Sequence, residues 1–124
     1  MLGRVRRVHK RWGHEDWVHN SPMYCGKLLH VDQGGACSLH YHERKHETFN
    51  LLSGRVVLEL YNVANEEELG NMVERITMEP GDVVEIQPYI AHRFTGLAPS
   101  VLLEVSTQHF NDDNVRLSPS TTAE

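Results

Sequence analysis

Two histidines one residue apart, His40 and His42, followed by Glu47, are the residues of this chain whose types and spacing carry the most chemistry. Alternate residues of a strand share a face, so both imidazoles project together if this stretch is extended. A carboxylate returning on the next strand would meet them. Two imidazoles and a carboxylate on rigid strands form most of a mixed nitrogen and oxygen site for a divalent first-row metal. Glycines bracket the stretch at Gly34 and Gly54. A further histidine, His92, follows the turn signals Pro80-Gly81-Asp82 and Pro88-Tyr89. Alone it reads as a surface or internally satisfied residue; its interest comes from pairing with the first stretch. Three or four protein ligands leave positions open for water or substrate, as a catalytic metal requires.

The elements that would position these groups are short strands. Apolar or alternating runs cover Tyr24–Val31, Cys37–His42, Glu47–Leu52, Arg55–Tyr61, Met72–Met78, Val83–Ile86, His92–Thr95 and Val101–Ser106, with turn signals between most of them. Such spacing, without a convincing long helix, predicts an all-β sandwich or barrel. The acidic run Asn62–Asn71 reads as a loop rather than a short helix. Residues 1–22 read as an N-terminal arm, irregular or short-stranded, folding Trp12 and Trp17 against the body. A barrel is expected over 23–110 and a polar tail over 111–124, disordered from Ser118.

At 124 residues, with 40% hydrophobic and 23% charged side chains, one domain with one core is expected. A formal net charge of −5 argues against a nucleic-acid partner. No apolar run approaches the roughly 18 residues of a membrane span. The basic start MLGRVRRVHKR lacks the apolar segment of a secretory signal. Cys25 and Cys37 sit in apolar runs and read as buried free thiols, so a cytoplasmic location is expected. Of the nine histidines, His9, His14 and His19 show no ligand spacing.

The series Gly34, His40, His42, Glu47, Gly54 matches the first motif of the cupin superfamily at every position, and Gly81, Pro88 and His92 match its second motif in part. In that second motif Ile90 replaces a glycine and Gly96 an asparagine. The resemblance covers about residues 25–106. It implies a double-stranded β-helix, or jelly-roll barrel, with a divalent metal (Mn, Zn, Fe or Ni) held by His40, His42, Glu47 and His92. The flanks Lys10-Arg11-Trp12-Gly13, Tyr24…Lys27, Ser38-Leu39, Leu103-Glu104-Val105-Ser106 and Asp112-Asp113-Asn114-Val115-Arg116 are similar to the cupin domain that ends type II mannose-6-phosphate isomerases. His40 stands where those enzymes often have glutamine, and the tail departs from theirs. Nothing here resembles their nucleotidyltransferase domain, so that activity is not carried over.

That resemblance implies a metal-dependent sugar or sugar-phosphate isomerase or epimerase acting on a small carbohydrate, and a homodimer. Moving a proton between neighbouring carbons needs a base near the metal. Glu104 is the first candidate and Glu59 a weaker one. Lys27, mid-strand among apolar residues, is either solvated or an inward anion hook. Alternation directs Tyr41, His46 and Arg93 away from the ligands, and puts Phe49, Leu51, Ile86 and Phe94 inside. Met72, Ile76 and Met78 read as core or interface. Two other readings use the same ligands: an iron-dependent dioxygenase, and a non-catalytic sugar- or metal-binding module.

Overall fold

In the computed structural model, which describes residues 1–66 and 68–121, the chain forms eleven strands and no helix among the described residues. They are β1 Arg6–Lys10, β2 Gly13–Asn20, β3 Cys25–Val31, β4 Leu39–Tyr41, β5 Glu47–Ser53, β6 Val56–Asn65, β7 Glu68–Met78, β8 Val83–Ile86, β9 Ile90–Gly96, β10 Ser100–Ser106 and β11 Val115–Ser118. Every pairing is antiparallel. One sheet has the order β1-β2-β3-β10-β5-β8, the other β11-β4-β9-β6-β7. The two face each other around a common interior as a jelly-roll barrel, the expected architecture.

Period-two burial decides which side chains enter. Along β3, Cys25, Lys27, Leu29 and Val31 are buried and the residues between them only partly so; β5 buries Glu47, Phe49 and Leu51 in the same manner. Leu29, Val31, Phe49, Leu51, Leu58, Met78, Ile86, Phe94 and Leu102 pack into one cluster with Trp12. Each such side chain contributes about 1.5–3 kcal/mol of burial. This apolar plug closes one end of the interior and leaves polar inward residues at the other.

Two local expectations are corrected. Asn62–Asn71 is not a loop: β6 runs to Asn65 and β7 starts at Glu68. The two pair across this stretch with repeated register shifts. Their outer ends are largely exposed, so neither face selects apolar residues and the alternation that marks a strand is missing. Met72 lies on this part and is 48% exposed, whereas Met78 is fully buried. The chain is also fixed beyond Ser118, because Thr121 exchanges backbone hydrogen bonds with Ala36. The rest of the disorder expected there falls at residues 122–124, outside the described residues.

Near the N-terminus, β1 and β2 form a hairpin that pairs through β2 with β3. Trp12, at its turn, is buried and meets Phe94 edge-on, with ring centres 4.9 Å apart. Gly54 closes the turn from β5 to β6 with φ of 89°, and a Cβ there would lie 2.5 Å from the Pro99 carbonyl oxygen. That position therefore requires glycine.

Candidate metal centre

The polar end of the interior is a cavity of about 260 Å³, at the small end of ligand-binding cavities. His40, His42, Glu47 and His92 line its floor. His40 ends up opposite His92 in the β4–β9 pairing, and His42 follows two residues on. Ring centres are 4.4 Å apart for His40 and His92, 5.0 Å for His40 and His42, and 5.6 Å for His42 and His92. One ligand nitrogen from each of the three lies within 4.8 Å of the others. Glu47 comes from β5 in the other sheet, so the four groups draw on both layers of the barrel.

Each imidazole is oriented by a backbone carbonyl. Nδ1–H of His40 donates to Ser38 O at 2.7 Å, that of His92 to Ile90 O at 3.0 Å, and that of His42 to Asp113 O. A carbonyl only accepts, so Nδ1 carries the proton and Nε2 presents its lone pair. Such outer partners are what metal-binding histidines use to fix tautomer and ring orientation. Burial, then the neighbouring His92 and His42, hold His40 well below its ordinary pKa. His40 is partly exposed by surface area, but that surface faces the cavity, so it stays neutral. His42 is lowered too, chiefly by burial.

Oε1 of Glu47 lies 2.8 Å from Nε2 of His92 and 3.8 Å from Nε2 of His42. Both Glu47 oxygens and His92 Nε2 are buried without an aligned hydrogen bond. Burial raises the Glu47 carboxyl, but Lys45, His92 and His42 reverse this and keep it ionised. At His92, burial lowers the pKa and the Glu47 charge outweighs it, so the net direction is upward. The Glu47 charge and the close approach of its Oε1 to His92 Nε2 both act in that direction. Buried acceptors left unsatisfied cost free energy, and a divalent cation among them would remove the cost. The residues therefore fit a metal.

Beside this floor is a buried charge cluster. Nζ of Lys45 donates to Glu104 Oε2 at 2.6 Å and lies 3.3 Å from Glu47 Oε2. Burial opposes its charge, yet Glu104 and Glu47 push the Lys45 pKa up. Lys27 faces inward opposite Glu104 across the β3–β10 pairing. Its Nζ lies 4.0 Å from the Trp17 ring centre and 3.9 Å from Glu15 Oε1. Burial, the largest influence, lowers the Lys27 pKa. His109 lines the same wall, and burial followed by Lys27 and Lys45 brings it to about 4.

The six residues singled out in the sequence as ligands or catalytic groups thus line one cavity. Glu59 does not: it accepts a hydrogen bond from the Tyr61 hydroxyl at 2.7 Å and pairs in register with Arg93. Tyr41 and Arg93 reach other partners, Glu66 O and Ser118 Oγ, and exposed His46 lies against Glu85.

Sequence reasoning missed Lys45 and Asp113. Lys45 sits in Glu43-Arg44-Lys45, which reads as a solvated turn. The Asp113 carboxylate accepts from the backbone N–H of Glu43 at 2.7 Å, Arg44 at 3.2 Å and Lys45 at 3.0 Å. This folds the turn inward and delivers the ammonium to the cavity. No local signal marks that pairing, because the partners are about seventy positions apart.

A family model described as D-lyxose isomerase matches residues 7–120. Among solved structures, KdgF from Halomonas sp. is 20% identical over 80% of this chain and 81% of its own, with a TM-score of 0.66. The capsular polysaccharide assembling protein CapF from Staphylococcus aureus is 17% identical, with a TM-score of 0.74; the match covers 94% of this chain and 33% of that one. An oxalate decarboxylase of Bacillus subtilis with Mn(II) centres is 20% identical, with a TM-score of 0.73, over 90% and 29% of the two chains. This chain therefore spans about a third or less of the latter two proteins. These likenesses show a shared cupin fold. No curated protein sequence matches the chain.

Proposed function

We propose, from the premise that this chain belongs to the D-lyxose isomerase family, that it is a metal-dependent aldose–ketose isomerase acting on a small sugar. The observation that carries the reading is the convergence of three Nε2 lone pairs and the Glu47 carboxylate beside the Lys45–Glu104 pair. His40, His42, Glu47 and His92 would hold a divalent metal. Bound there, it would polarise the carbonyl and neighbouring hydroxyl of an open-chain sugar as a Lewis acid.

The remaining work is proton transfer. Glu104 takes the proton from C2 and returns it to C1, while a hydroxyl proton passes from O2 to O1; nothing is gained or lost overall. Lys45 fixes the Glu104 rotamer through the 2.6 Å hydrogen bond. Lys27 is the second cation of this wall, and its lowered pKa suits it to donate to an oxygen that gains charge. The Phe49 and Phe94 side chains exclude water from the inner side of the floor.

The family match points to a D-lyxose-type sugar, not specifically to the mannose 6-phosphate that the sequence flanks suggest. A phosphorylated sugar keeps one argument: Arg6, Lys10 and Arg116 line the cavity and come from the edge strands β1 and β11. The test is ketose formation from D-lyxose, D-mannose and mannose 6-phosphate by enzyme loaded in turn with manganese, zinc, nickel and iron. Turnover of one of these, lost in His42→Ala and Glu47→Ala with their metal, is expected. Stoichiometric metal with no isomerisation of any aldose, or oxygen uptake with iron, would sink the reading.

A further inference from the structure

The opposite surface of the six-stranded sheet carries a second group of ligand-type side chains. Arg6, Val8, Lys10, Glu15, Trp17, Lys27 and Leu29 face the cavity, so the residues alternating with them face outward. His9 stands opposite His14 in the β1–β2 register, and His14 opposite His30 in the β2–β3 register. A row of three histidines therefore crosses three neighbouring strands. Asp16 lies two residues beyond His14, on the same face.

From this arrangement we infer that the outer face of β1–β3 holds a second divalent metal site, with His14, His30 and Asp16 as ligands and His9 within reach as a fourth. Ligand atoms of the first three already lie within 4.8 Å of one another. The rings of His14 and His30 stack with centres 4.3 Å apart and planes 17° apart, and His9 lies 6.2 Å from His14. Nε2 of His14 is shielded from solvent and has no hydrogen-bond partner. Oδ2 of Asp16 is 3.5 Å from Nε2 of His30, and Asp16 is only 6% exposed. Burial, followed by Arg7 and His30, holds the His14 ring below its ordinary pKa, so its lone pair is available.

Two or three imidazoles with one carboxylate suit zinc, nickel or copper better than magnesium or calcium. One group competes. Arg7 binds Asp16 through both guanidinium nitrogens, at 2.8 and 3.1 Å. It supplies the positive charge that a metal would replace, so a metal entering here displaces Arg7 into solvent. The site is separated from the cavity by the backbone of β2 and β3 and does not depend on the isomerase reading.

Zinc titration of the whole protein by calorimetry, checked by elemental analysis after dialysis, tests it. Wild type should bind one equivalent more than the double variant His14→Gln/His30→Gln, while His42→Ala should keep that outer equivalent. Arg7→Gln should tighten zinc at the outer site by about tenfold, comparable to other changes around a metal's ligands. Copper added to His42→Ala should show nitrogen coupling in its EPR spectrum, and the added His14→Gln/His30→Gln changes should remove it. Equal stoichiometry in wild type and the double variant, with superimposable thermal melts, overturns the site. So does an Arg7→Gln variant whose zinc affinity is unchanged.

Discussion

At the scale of single residues, the pair of Lys45 and Glu104 carries the sharpest consequences. Replacing Glu104 by Gln keeps the shape but removes the proposed base. The variant should retain its metal and lose about 100- to 10,000-fold in kcat/KM; an active Glu104→Gln enzyme would move the base elsewhere. Lys45→Met leaves the buried Glu47 and Glu104 carboxylates without the ammonium between them. It should destabilise the fold by about 3–5 kcal/mol in urea denaturation. Adding Glu104→Gln should recover part of that loss, and strict additivity would show that the two do not interact. Cys37 gives a simpler check. Burial pushes its thiol up to about 12, and Cys25 is 2% exposed, so thiol reagents should label neither until the chain is unfolded. What the sequence made legible at this scale follows from strand alternation. It put His40 and His42 on one face with Glu47 able to return to them, while the inward candidacy of Glu104 and Lys27 came from the family resemblance. It was silent on Lys45, because a lysine between charged neighbours has no apolar context, and it dismissed His14, whose partner His30 is local only in the folded sheet.

At the scale of elements, the turn between β4 and β5 depends on a residue from the far end of the chain. Asp113 accepts three backbone N–H groups of residues 43–45 through its carboxylate, while its carbonyl accepts from His42. Asp113→Ala should therefore cost about 1–3 kcal/mol of stability. It should also weaken metal affinity by about 10- to 100-fold, although Asp113 is not a ligand. Calorimetric titration beside a thermal melt separates the two effects, and unchanged affinity in a folded variant would refute the coupling. Strand existence was legible wherever one face is buried, as in β3 and β5. It failed for the outer ends of β6 and β7, where solvent on both faces erases the pattern, and for β11, four residues whose pairing with β4 is entirely long-range.

For the whole molecule, the candidate ligands join the two sheets: three imidazoles belong to one and Glu47 to the other. Metal binding should therefore stabilise the barrel as a unit. At a free metal concentration near one hundred times Kd the gain is about 2.7 kcal/mol, or roughly ten degrees in Tm for a chain of this size. A chelator should reverse it, and a Tm indifferent to both would mean that the sheets are not bridged. The jelly-roll architecture was legible from turn spacing and the cupin motif; the shape of the cavity was not, since it is set by which long-range neighbours meet. One arrangement within it bears on how such a protein could change. Glu104 lies on β10, hydrogen-bonded on both sides by β3 and β5, whereas Arg6, Lys10 and Arg116 stand on the edge strands β1 and β11. On the proposed reading, reaction and recognition would be carried by separate strands. Substrate preference could then drift, or be redesigned in a library confined to three rim positions, without touching the groups proposed to move the proton.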